Sequence, residues 1–200
     1  GDPRKATLFI VDPRAKGFRI TRLPKAMGKS ARGHPEVTLD NVEVDPSDVL
    51  GEVGQGFELT KDWFVEARIY IGARCVGQAI RAAEIANEWA ATRVQFGRPI
   101  RDFQAIEFML ADMAVEIMAA KSMLYRVAAE IDGGLERKAA HARVSAVKLF
   151  CSEMSGRVVD KALQILGGRG YFNDSAVERL YRATRVERIV EGTSEIQRVI

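Results

Sequence analysis

The sequence predicts a mainly α protein: an antiparallel four-helix-bundle-like domain preceded by a partial antiparallel β domain. Three observations lead there. The first 50 or so residues hold short apolar runs of strand length, broken by Pro and Gly. From about Gly56 the apolar residues recur every three or four positions instead. Glycine-rich breaks then cut that periodic region into stretches of roughly 30 residues, too long for strands and right for bundle helices.

In the β-rich part, "ATLFIVD" is a strand ended by Pro13 and Gly17, and "GFRITRLP" is a second, less regular one. In "PEVTLDNVEVD", Val37, Leu39, Val42 and Val44 suggest two short strands with a turn or bulge at Asp40-Asn41. So few strands form an edge or half-sheet and not a closed barrel. Gly1 is not an initiator Met, and a strand is under way almost at once, which predicts a piece excised from a longer polypeptide. The predicted division is residues 1–52 for the partial β domain and 53–200 for the helical bundle, with "GEVGQGFE" as the join.

In the helical part, Phe64, Ala67, Ile71, Cys75, Gln78, Ala82, Ile85 and Trp89 mark one face of a long helix. After "RVQFGRPIRD" a second stripe runs from Ile106 through Met113, Ala120 and Val127 to Ile131, where "DGG" stops it. The third includes Val147, Phe150, Met154, Val158, Ala162 and Ile165, and ends at "GGRG". A shorter helix covers Val177 to about Ala183, and another starts near Ser194. Short turns force the long helices antiparallel. Their alanines let the axes approach, and the stripes are wide enough to bury a second face against a partner subunit.

Composition narrows the function classes. In 200 residues the net charge is +3 and the basic residues are interleaved with acids, so no nucleic-acid-binding stripe is formed. Cys75 and Cys151 are too few for a disulfide framework. With no apolar leader, a reducing compartment is expected, the bacterial cytoplasm or a mitochondrial matrix. No apolar run approaches the ~20 residues of a membrane span. His34 and His141 lack metal-ligand spacing, so no metal site is expected.

Three strings carry chemical interest. In "EGTSEIQ", Ser194 and Gln197 fit a helix capping box and Gly192 a positive-φ turn, but neither accounts for Glu191 before them. "QILGGRG" reads as a helix C-terminus, since its glycines do not join a strand to a helix. "TRVQFGRPIRDFQAI" turns between two helices with Arg93, Arg98 and Arg101 around it, a cluster suited either to a phosphate or to a solvated rim.

Taken in order and at these intervals, "TRVQFGRPIRDFQAI", "QILGGRGY" and "VEGTSEIQR" resemble the acyl-CoA dehydrogenase family. The upstream "MGKSARGHPEVTLDNVEVDPSDVLGEVGQGF" is similar to the end of that family's middle β domain. The resemblance covers essentially the whole chain. It implies an FAD enzyme that removes the α and β hydrogens of an acyl-CoA thioester to give a trans-2-enoyl-CoA. It also implies a homodimer or homotetramer and an electron-transfer protein as the flavin's oxidant. Glu191 matches the family's catalytic base. Some relatives carry that base on the first long helix instead, but the matching position here is Ala67, and Glu66 is turned about 100° away. By the same resemblance Arg68 lies near the acyl group. Arg93, Gln95 and Phe96 touch the pyrophosphate and adenosine side of FAD, while Gln164, Ile165, Gly167 and Gly168 reach the FAD of a neighbouring subunit. Gly192, Thr193 and Glu195 lie against the flavin. Ser30 and His34 depart from the family pattern in their loop, and the family's N-terminal helical domain and first half of the β domain have no counterpart in this chain. Two alternatives stay open: a non-catalytic helical oligomerisation module or fragment unable to hold FAD, and an acyl-CoA oxidase or other flavoprotein on the same scaffold.

Overall fold

A computed structural model describes residue 2 and residues 5–28 and 33–200; Ser30 lies outside the described residues. The chain divides into two compact units, residues 1–64 and 65–200.

The first unit holds two small antiparallel ladders. Strand β1 (Leu8–Phe9) pairs with β4 (Val49–Leu50), and β2 (Phe18–Arg22) pairs with β3 (Glu36–Leu39) with an irregularity between Ile20 and Arg22. The predicted strand through Val42 and Val44 does not form. Asn41 takes a positive φ of 48°, which turns the backbone out of the extended region right after β3. The apolar residues Phe9, Ile10, Ile20 and Leu39 are exposed, which is the pattern of strands lacking a cover on one face. Helix α1 (Gly56–Thr92) starts where the Gly56 amide donates to the Ala6 carbonyl at 2.8 Å. A Cβ on Gly56 would sit 2.9 Å from that same oxygen, so glycine is what lets the helix start against this strand.

The second unit is the bundle. Beyond residue 64, α1 is followed by a hairpin of β5 (Val94–Gln95) and β6 (Arg98–Pro99), then α2 (Gln104–Asp132), α3 (Arg137–Leu166), α4 (Ala176–Thr184) and α5 (Ser194–Val199). The ion pairs Glu130–Arg143, Glu116–Arg157 and Asp112–Lys161 step down α2 as they step up α3, so these helices are antiparallel. By contrast, Arg68 meets Ser145 and Gly72 faces Val147, so α1 and α3 run the same way. The core follows the predicted stripes on α2 and α3, where Ala120 and Ala162 are fully buried, but on α1 only Ile71, Cys75 and Ala82 of the predicted face are buried. Past Cys75 the buried line runs through Ala79, Ala82, Ala86 and Ala90, leaving Gln78, Ile85 and Trp89 half-buried beside it. Small side chains there let the helix axes close up, and at Gly72 the approach is close: a Cβ on it would lie 2.6 Å from Val147 Cγ1. Helix α2 stops at Gly133-Gly134, the second with φ 83°, and α3 stops at Gly167 with φ 58°. Among the described residues no helix is long and apolar enough to cross a membrane, and no cluster of three or more His, Cys, Asp or Glu forms a metal site.

Candidate active site

Glu191 occupies a strained position. Among the described residues three non-glycine residues have positive φ: Asn41 at 48°, Phe96 at 52° and Glu191 at 56°. Asparagine tolerates that region through its short polar side chain, whereas Phe and Glu seldom occupy it. Such strain costs of order 1–3 kcal/mol and persists only where the surroundings hold it. Here they do. The Glu191 carbonyl accepts from Arg68 Nε at 3.3 Å and from Gln197 Nε2 at 3.0 Å. The next carbonyl, of Gly192, accepts from Lys148 Nζ at 2.7 Å and from Gln197 Nε2 at 3.0 Å. Donors on α1, α3 and α5 thus converge on two consecutive peptides.

The capping of α5 differs from the expected box. Thr193 is the N-cap, its hydroxyl accepting from the Ile196 amide at 3.4 Å. Ser194 falls one residue inside the helix, and its buried hydroxyl has no protein partner. Gln197 reaches back past the cap to the Glu191 and Gly192 carbonyls because Gly192, at φ 92°, folds the chain over it. Glu195 is exposed in the first turn, and its carboxyl pKa is lowered by its own backbone amide and by the Thr193 hydroxyl.

Beneath the turn lies a buried charged cluster. Arg68, 5% exposed, also donates to Ser145 Oγ at 3.3 Å. Desolvation lowers its pKa and the nearby Glu191 charge opposes that. Lys148 is fully buried, and desolvation lowers its pKa too. Glu187, 2% exposed, pairs with Arg74. Burial pushes the Cys75 thiol well above its ordinary value, so Cys75 stays neutral beside Lys148.

The residues expected on the dinucleotide lie elsewhere. Arg93 follows α1, Gln95 ends β5 opposite Arg98, and Phe96 and Gly97 make the β5–β6 turn, where Phe96 is 92% exposed with φ 52° and Gly97 has φ 82°. Two consecutive positive φ angles suit a tight two-residue hairpin, and Asn-Gly is the usual solution, not Phe-Gly. The turn therefore presents an aromatic ring to the outside at a backbone cost. Phe96 meets Phe103 edge-on at 6.2 Å, Arg98 lies over the Phe103 ring at 4.1 Å, and Arg93 lies over Trp89 at 5.9 Å. At the end of α3, Gln164 is exposed and Ile165 buried, and Cβ atoms on Gly167 or Gly168 would meet nothing within 4 Å. Gly167 needs its positive φ; Gly168 has no such need within this chain.

The structure brings the predicted residues together in two groups. Arg68, Glu191, Gly192, Thr193 and Glu195 gather around Ser145 and Lys148, in the first half of α3. Arg93, Gln95, Phe96, Gln164, Ile165, Gly167 and Gly168 lie at the opposite end of the bundle, because α1 and α3 both finish there. From Arg68 to Thr92 along α1 is about 36 Å and from Lys148 to Leu166 along α3 about 27 Å by helical rise. The two groups of one chain are therefore well separated along both helices.

Residues 54–200 match the family model described as acyl-CoA dehydrogenase, C-terminal domain. The chain belongs to the acyl-CoA dehydrogenase family. It is 40% identical over 194 residues to a 3-(aryl)acrylate reductase of Clostridium sporogenes, covering 97% of this chain and 51% of that protein. It is 36% identical over 197 residues to the caffeyl-CoA reductase-Etf complex subunit CarC of Acetobacterium woodii, covering 98% of this chain and 51% of that one. The solved structure of butyryl-CoA dehydrogenase from Megasphaera elsdenii superposes with a TM-score of 0.90 at 32% identity, over 100% of this chain and 51% of that chain. The chain thus spans about half the length of the relatives it matches.

Lys148 and the reach-back of Gln197 were not anticipated as parts of the site. The available signal for Lys148 was its place on a buried face, four residues after Val144 and three before Cys151. Phe103, the second ring beside Phe96, gave no signal of its own, because only the folded hairpin brings the two together.

Proposed function

We propose that the protein containing this chain is an FAD-dependent acyl-CoA dehydrogenase in which Glu191 exchanges the α-proton of an acyl-CoA thioester. The observation that carries the reading is the strained Glu191–Gly192 turn, held by Arg68, Lys148 and Gln197. An ordinary helix entrance needs none of those donors. A base that must meet a weakly acidic carbon proton needs its backbone fixed, since efficiency follows geometry first.

Glu191 takes the α-proton, and the buried cations Arg68 and Lys148 hold the turn that carries it. When bound, FAD supplies the acceptor for the β-hydride. The chain's surfaces fit such a group. Gly168 has open space where a side chain would stand, and the β5–β6 turn offers Phe96 and Arg93 outward. Since those residues lie a bundle length from Glu191, a complete site takes Glu191 from one copy and the hairpin with Gln164 to Gly168 from another. Phe108, Val115, Met118 and Tyr125, all at least 60% exposed and spaced along one face of α2, supply an apolar surface for assembly into a dimer or tetramer.

A second reading concerns direction. Two relatives are named as reductases, of an aryl acrylate and of caffeyl-CoA. The same site run backwards has Glu191 deliver the α-proton to an enoyl thioester, and the Etf in the second relative's name favours an electron-transfer flavoprotein as the redox partner.

The test is exchange of the α-hydrogen. With FAD bound and in D2O, the full polypeptide should incorporate deuterium at the α-carbon of an acyl-CoA, and Glu191→Gln should not. Equal exchange in both would show that another group is the base. Rapid reoxidation of the reduced flavin by oxygen would identify an oxidase instead.

A further inference from the structure

The residue least explained by folding is Lys148. It sits within the apolar face of α3 among Val144, Val147 and Cys151, with no exposed surface, where a Met of similar length would avoid the cost of burying an ammonium. Its hydrogen bond is to the Gly192 carbonyl at 2.7 Å. That carbonyl already accepts from Gln197 Nε2 at 3.0 Å, so satisfying it does not require Lys148. Nor is Lys148 needed to neutralise Glu187, which is paired with Arg74. What Lys148 adds is a strut. Arg68 ties the Glu191 carbonyl to α1, Gln197 ties both carbonyls to α5, and Lys148 ties the turn to α3 through a direct bond.

We propose that Lys148 is a positioning residue for Glu191: by anchoring the Gly192 carbonyl to α3 it fixes the left-handed Glu191–Gly192 turn against the α1–α3 pair. This rests on Glu191 being the base. The turn is the natural weak point, because Glu191 at φ 56° tends to relax to negative φ once any of its three anchors is lost. A fixed turn matters because displacement of a base by about 1 Å costs roughly 10²-fold in rate. Lys148 acts through the turn and not on the substrate, so its loss should appear in kcat far more than in KM.

The test uses the full polypeptide with FAD bound. Lys148→Met keeps the stem and removes the donor and the charge. It should retain FAD and lower kcat by roughly 10²-fold, with KM within about threefold of the parent value. The isotope effect from an α-deuterated substrate should grow, and hydrogen exchange at the amides of residues 191–194 should speed up. Lys148→Gln, which keeps a donor, should recover part of kcat. Glu191→Gln is measured alongside. If Glu191→Gln is inactive while Lys148→Met has the parent's kcat and isotope effect, the positioning role is overturned and the base assignment stands. If Glu191→Gln turns over normally, the base assignment fails and the role of Lys148 with it. Should Lys148→Met not fold, Lys148→Leu, which also lacks a donor, decides, and an undiminished kcat in that variant overturns the proposal.

Discussion

Gly192→Ala probes the turn at its most constrained point. At φ 92° an alanine lies outside even the small left-handed region open to L-residues, a strain of order 1–3 kcal/mol. The added Cβ would stand 2.6 Å from Gln197 Nε2 and 3.4 Å from Ile196 Cγ2. The nearer contact is to a side-chain amide that can swing aside, but swinging aside breaks its bonds to the Glu191 and Gly192 carbonyls. Both carbonyls keep another donor, in Arg68 and Lys148, so the stranded group is the buried Gln197 amide, at about 1–3 kcal/mol. Together these predict a loss of about 2–6 kcal/mol. Equilibrium urea unfolding reads the loss, and turnover with an acyl-CoA should fall in the same variant. A change below about 0.5 kcal/mol with turnover intact would refute the account of the turn, since surface substitutions alone fall in that range.

Two glycines of α1 make a matched pair. Gly77→Ala, with nothing within 4 Å of the new Cβ, should stabilise by up to about 1 kcal/mol from helix propensity. Gly72→Ala gains the same propensity but drives a Cβ to 2.6 Å from Val147, and overpacking of about 1–3 kcal/mol should make it neutral to destabilising. The two thiols set a pH dependence. Burial pushes Cys151 up to about 12 and Cys75 higher still, so neither should react with a thiol reagent at pH 8 until the protein unfolds. Because the folded values lie above the unfolded value of about 8.5, stability from these groups is complete below that pH and declines as pH rises above it. Urea midpoints at pH 7 and pH 9.5 should therefore differ, and Cys151→Ala should narrow the gap.

The long helices were legible because their signal is local: Ile71, Cys75, Met113, Val158 and their neighbours repeat at helical spacing and are the residues found buried. The β-rich part was legible as strands but not in extent. Runs such as "ATLFIVD" form only two ladder residues here, since pairing depends on a partner strand and not on propensity. Glu191 was visible through its neighbours in sequence. What holds it was not, because Arg68, Lys148 and Gln197 come from three helices and meet only after packing. Ser194 was misread as the cap for a related reason: the positive φ values at Glu191 and Gly192 shift the helix entrance back to Thr193. The separation of the hairpin from Glu191 was likewise invisible, being a consequence of α1 and α3 running in the same direction.

We propose that Glu191 moves the α-proton. The most direct test is the rate of flavin bleaching when the FAD-loaded full polypeptide is mixed anaerobically with an acyl-CoA it oxidises. Glu191→Gln should keep its flavin and bleach at least about 10²-fold more slowly, the contribution expected of a positioned general base. Bleaching of the variant at a rate within about threefold of the parent would contradict the account.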